Sequence, residues 1–360
     1  MLRLRAAIHP LKTYVYGQIP KPYSRQSVAC FSSRLNPRVP PPIQAEVIPQ
    51  YISPTSLPPP RIRYLRPILF ATVASGLAFG MAAAEYDYRQ KSMWRRIRQW
   101  TGNREVTLSE AWMVHKKEVA TRINQTMAKL ENLNVPEDIR RAYLMVYQKW
   151  ESLKESEKTI AGIIAINTVV FVAWQIPILR PFMHRYFMHD PLSGRSITLL
   201  TSCFSHQELW HFGLNMMALW SFGGIVHDYL GREQFLAFYL TTGMAASAVS
   251  HVFGLSMRRV RPVLPSLGAS GAIYGCLSAT AVLHPNASVY VVFLPFLPIK
   301  IGYALPAMMG LDLAGILLRW RTFDHFAHLT GALAGIGYVK YGPTSIWEPL
   351  VSQFSKPNNR

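Results

Sequence analysis

Four polar side chains set among long apolar stretches have the chemistry of an acyl-transfer site: Ser270, His328, His211 and Asn215. A serine hydroxyl is a poor nucleophile until a neighbouring imidazole accepts its proton, and Ser270 with His328 supplies that pair. His211 and Asn215 stand four residues apart, so on a helix they share one face. Both can donate a hydrogen bond to an oxygen that gains negative charge. Each residue also has a structural alternative. A His and an Asn at this spacing can join helices, and a serine beside glycine can simply permit close helix contact. His325 and His328 could begin a metal site, but no third ligand stands at a suitable spacing. Asp324, four before His328, suits the cap of a helix start as well as the orientation of an imidazole.

The elements that must position these groups are apolar blocks about 20 residues long, the length that crosses a hydrocarbon layer. Six candidate spans follow one another at 159–180, 209–228, 233–254, 268–284, 299–318 and 325–341. The spans that begin at 209, 268 and 325 run in one direction, because each is separated from the next by a single span going back. His211 and Ser270 lie two residues into their spans and His328 three into its own. At about 1.5 Å of rise per residue, the three groups share one depth below one surface. Gly271 and Gly275 have the small-xxx-small spacing of a close helix contact, as do Gly331 and Gly335. If these two faces meet, the backbones approach closely enough to bring Ser270 and His328 within hydrogen-bonding reach.

The rest of the chain serves address and anchorage. Residues 1–60 combine a basic stretch without acids up to Ala45 (Arg3, Arg5, Lys12, Lys21, Arg25, Arg34, Arg38) with nine prolines from Pro37 to Pro60. That is the composition of a mitochondrial presequence followed by an extended linker, and it implies the import machinery as a transient partner. Residues 61–84 form a basic flank and a short transmembrane helix from Pro67 to Ala84. Residues 85–158 hold 11 of the 19 acids and 15 basic residues, so they read as a water-exposed insert. Thr107 and Glu110 have capping-box spacing there, and Pro136-Glu137-Asp138 marks a second helix start. A core at 159–341 and a tail at 342–360 complete the chain.

The net charge of +19 lies mostly in the N-terminal third and in short loops, which suits a membrane protein and excludes a folded nucleic-acid-binding face. The core loops on the Ser270 side carry eight arginines against five basic residues opposite, which places the site's opening on the matrix side. Cys30, Cys203 and Cys276 have no metal or disulfide spacing, and Cys276 suits core packing. No cofactor is implied. A transporter would need carboxylates deep in the bundle, and only Asp312 qualifies.

Taken together, His211-x-x-x-Asn215, the GASG block around Ser270, and Ala327-His328-Leu329-x-Gly331-x-x-x-Gly335 resemble the signature of rhomboid intramembrane serine proteases, in matching order over roughly 159–341. The basic presequence and the additional helix are similar to the mitochondrial inner-membrane branch. The resemblance implies an all-α membrane protein with a six-helix core preceded by one extra transmembrane helix. It implies a Ser270–His328 dyad without an essential acid, Tyr274 stacked on the imidazole, and an oxyanion hole of His211, Asn215 and the Ser270 N–H. Its substrates would be single-span proteins of the lipid bilayer, among them inner-membrane precursors such as a dynamin-related fusion GTPase and cytochrome c peroxidase. The 181–208 loop departs from bacterial members in lacking a Trp-Arg pair, and Ala272 breaks the GxSxG elbow of soluble hydrolases. A non-catalytic relative that binds and delivers membrane clients is the alternative, but such a protein needs neither Ser270 nor His328.

Overall fold

The computed structural model describes residues 62–101, 107–291, 294–321 and 323–355. The presequence and linker expected over residues 1–60 lie outside them. The described chain is helical apart from one hairpin: α1 (Leu65–Thr101), α2 (Leu108–Asn132), α3 (Glu137–Ser152), α4 (Glu155–Gln175), α5 (Arg180–Tyr186), α6 (Thr198–Thr201), α7 (Leu209–Ala218), α8 (Gly224–Leu230), α9 (Arg232–Ser256), α10 (Ser270–Leu283), β1 (Ser288–Val291), β2 (Leu294–Lys300), α11 (Ile301–Leu317), α12 (His325–Gly342) and α13 (Glu348–Ser355). Helices α7 and α8 are joined by a wide π-type turn at Leu219–Gly223, so the expected span at 209–228 is one rod. Long apolar segments suited to crossing a bilayer occur at Leu65–Gln99, Glu155–Gln175 and Arg232–Ser256, with shorter apolar helices at Ser270–Leu283 and Ile301–Leu317. The architecture is that of an all-α membrane protein.

Three features differ from the sequence reading. First, α1 does not stop at Ala84 but runs on to Thr101. Residues 85–99 contain no Gly or Pro and are rich in Arg and Gln, so nothing ends the helix where the apolar stretch does. Its polar extension is held by Arg89 to Glu233 (2.6 Å) and by Lys91 to Asp87 (2.7 Å). Second, the residues before α11 form an antiparallel hairpin that pairs Val289 with Ile299 and Tyr290 with Pro298. β-branched residues alternate there, and the prolines that forbid a helix are tolerated on an edge strand. Third, the described part of the tail is helical: α13 lies along α1, where the Lys91 ammonium donates to the Phe354 carbonyl (3.2 Å) and Tyr86 meets Trp347 edge-on.

The insert holds two helices, α2 and α3. α2 opens with the expected box: the Glu110 N–H donates to Thr107 Oγ1 and the Thr107 N–H to Glu110 Oε2 (3.0 Å). α4 ends at Gln175, earlier than 180, because Pro177 cannot continue it. The main core gathers Leu219, Phe235, Phe238, Tyr239, Ala272 and Cys276 around α10, all buried. Cys203 and Cys276 are both free and buried. The start of α1 is tied to this body by polar contacts, the Arg63 carbonyl against His251 Nε2 (2.8 Å) and the Arg258 guanidinium donating to the Tyr64 hydroxyl (3.3 Å).

Candidate active site

α10 and α12 are the helices whose contact builds the site, and the glycines set their distance. A Cβ at Gly331 would collide with the Gly271 carbonyl oxygen, and one at Gly335 would collide with the Gly275 carbonyl oxygen and Ser278 Oγ. Only glycine fits at this crossing. Gly271 and Gly275 also face α9, where a Cβ would run into Ala246 and Thr242.

This contact sets Ser270 at the first position of α10 opposite His328 in the first turn of α12. Ser270 Oγ lies 3.0 Å from His328 Nε2, and the Tyr274 ring stacks on the imidazole with centroids 4.3 Å apart and planes 10° from parallel. Because Ser270 begins its helix, its N–H has no partner within the helix. Gly268, two residues earlier, adopts a φ of +134°, which a side chain would strain, and the His211 ring lies directly over its Cα. His206 steadies this approach: its Nε2 accepts the Ala269 N–H (3.3 Å) and its ring meets His211 edge-on. Burial, reinforced by His211, pushes the His206 imidazole down to about 3, which keeps it a neutral acceptor.

Asn215 is placed differently from the others. It is buried, and its amide donates to the His211 carbonyl one turn back (2.8 Å), not toward Ser270. Asp324 caps α12 by accepting the Ala327 N–H (3.1 Å) and also takes the Ser250 hydroxyl (2.7 Å). Its carboxylate is therefore occupied away from the imidazole.

Asp312, the one deep carboxylate of the sequence, lies on α11 and joins the site. Its Oδ1 lies 2.6 Å from His325 Nδ1 and 3.2 Å from His328 Nδ1, so the imidazole of the expected dyad has a carboxylate on its far nitrogen. A signal for this existed. α11 runs opposite to α12, and Asp312 is five residues from its C-terminal end, so it returns to the depth of the first turn of α12. Asp312 also supplies the third oxygen or nitrogen ligand that the His325–His328 pair lacked in sequence.

Ser270, His211 and His328 line one cavity of about 530 Å³, whose rim carries Trp210, Phe323 and Arg261. Apolar helices long enough to cross a bilayer, packed around an open cavity, make this a polytopic membrane protein. Residues 193–342 match the rhomboid domain. Among similar proteins, the presenilin-associated rhomboid-like protein A of Danio rerio mitochondria is 37% identical over 309 residues, covering 84% of this chain and 78% of the relative. The Mus musculus presenilin-associated rhomboid-like protein is 44% identical over 206 residues, 56% of this chain and 54% of its own length. Rhomboid protein 1 of Saccharomyces cerevisiae mitochondria is 37% identical over 184 residues, 51% of this chain and 52% of its own. The matched region thus spans about half of the mouse and yeast relatives. The chain belongs to the rhomboid family. With relatives that are mitochondrial proteins, it is a multi-pass protein of the mitochondrial inner membrane.

Proposed function

We propose that this rhomboid is an intramembrane serine endopeptidase that cleaves single-span proteins of the inner membrane. The observation that carries the reading is the 3.0 Å approach of Ser270 Oγ to His328 Nε2 within a polar cavity. Ser270 attacks the peptide carbonyl while His328 Nε2 takes its proton; His328 then returns that proton to the leaving amine, and water repeats the cycle on the acyl-enzyme. The oxyanion forms beside the free Ser270 N–H and the His211 ring. Asn215, one of whose two amide N–H groups is held by the His211 carbonyl, has the second to offer the oxyanion. Tyr274 fixes the plane of the imidazole by stacking, and Asp312 holds a proton on Nδ1 so that Nε2 keeps its lone pair.

A peptide bond within a helix is shielded, so substrates are segments that unwind near the cavity. The resemblance offers inner-membrane precursors such as a dynamin-related fusion GTPase and cytochrome c peroxidase as candidates. The one-plus-six crossing of the membrane, with α1 as the extra helix and the cavity open to the matrix, belongs to the same reading. Pro306 within α11 makes that helix a candidate gate. Cleavage of a model transmembrane substrate in detergent by the wild type, Ser270→Ala and His328→Ala tests the chemistry. Cleavage is expected in the wild type alone, and persistence in both variants refutes the pair.

A further inference from the structure

We propose that Asp312, His325 and His328 form an inhibitory Zn²⁺ site, in which the metal takes the far nitrogen of the His328 imidazole. One ligand atom from each of the three residues lies within 4.8 Å of the others, and all three residues are buried. The donor set, two imidazoles and one carboxylate, is one that zinc uses with a water in the fourth position, and it favours zinc over the oxygen-seeking Mg²⁺ and Ca²⁺.

Two further observations point to a ligand. Asp312 Oδ2 and His325 Nε2 are both buried without a hydrogen-bond partner, so the carboxylate that bridges the two imidazoles keeps an unshared oxygen for a cation. The ligands are also held in place. The His325 ring lies flat on Gly315 of α11, where any Cβ would collide with it, and both histidines project from the capped first turn of α12. His325 and His328 line the open cavity, which gives the ion a route in.

The consequence for chemistry follows from the tautomer. With Asp312 on Nδ1, the neutral imidazole carries its proton there and offers the Nε2 lone pair to Ser270. A zinc ion that takes the Nδ1 lone pair moves that proton to Nε2, with no change in proton number. Nε2 then becomes a donor and cannot accept the serine proton. The inhibitory role rests on the proposed serine chemistry, whereas the binding site does not.

The test uses the purified full chain in detergent with Zn²⁺ as the only added metal. Equilibrium dialysis on Ser270→Ala reads binding alone. One zinc per chain is expected, weakened about tenfold or more by His325→Gln and by Gly315→Ala, which displaces the ring from another helix. His284→Gln, at the far end of α10, serves as the control that keeps full affinity. In parallel, Zn²⁺ inhibits wild-type cleavage over the same concentration range, and His325→Gln, normalised to its own zinc-free rate, resists it. Variants are compared after size exclusion and circular dichroism show equal folding. Stoichiometric binding unchanged in folded His325→Gln and Gly315→Ala, or no binding at all, overturns the site. Binding at these residues without inhibition of a cleaving wild type overturns the inhibitory role. If no form of the chain cleaves, the serine reading fails, while dialysis still decides the site.

Discussion

Asp312→Asn should slow cleavage without abolishing it, and its size can be worked from the geometry. The carboxylate oxygen is shared between two imidazoles, and the shorter contact, 2.6 Å, belongs to His325, leaving 3.2 Å for His328. A hydrogen bond to a charged group contributes about 1.5–3 kcal/mol, and the longer arm of a shared bond falls at or below the low end of that range. At about 1.4 kcal/mol per factor of ten in rate, kcat should fall about tenfold. KM should change little, because Asp312 does not line the cavity that the substrate enters. Asparagine offers one carbonyl oxygen in place of a carboxylate, so it can hold one imidazole while its amide N–H₂ faces the other. Single-turnover cleavage in detergent separates the two parameters. Removing the competing donor in His325→Phe should raise the rate by different factors in the wild-type and Asp312→Asn backgrounds, a non-additivity that marks a shared acceptor. Unchanged kcat in a folded Asp312→Asn would show that the carboxylate only packs α11 against α12.

The helices that carry the site were legible because their signals are local. Apolar length, a capping Asp324 and the glycine pairs placed α9, α10 and α12 within two residues of their ends. The common depth of His211, Ser270 and His328 came from counting crossings. What escaped depends on geometry that helix length and spacing do not fix. Spans running one way do not reveal Asp312, because it lies near the end of their antiparallel neighbour, which returns to the same level. Helix face puts Asn215 beside His211 but does not say that one of its two amide N–H groups bonds to the His211 carbonyl one turn back. The hairpin was missed because its seven-residue second strand is apolar enough to be read as the start of the next span.

Gly331→Leu should abolish cleavage although neither Ser270 nor His328 is substituted, since its side chain would meet the Gly271 carbonyl and part α10 from α12; full activity would show that the two helices need not touch. His251→Phe removes the partner of both the Arg63 carbonyl (2.8 Å) and His189 Nε2 (3.0 Å) and should lower stability by about 2 kcal/mol, read as a reduced Tm in detergent, with cleavage retained. Acid should destabilise the folded protein through the 181–208 loop. Burial, then the neighbouring His251, lowers His189 from 6.5 to about 3, and burial with His211 does the same for His206. Both are neutral in the fold, while the unfolded chain takes up their protons below pH 6.5, so stability is complete above that value and is lost as pH falls toward 3. Tm measured at pH 7.5 and pH 5 should therefore drop on acidification, and the drop should shrink in His206→Gln, which cannot take up that proton in either state. An equal drop in the variant would mean that the acid response comes from other groups.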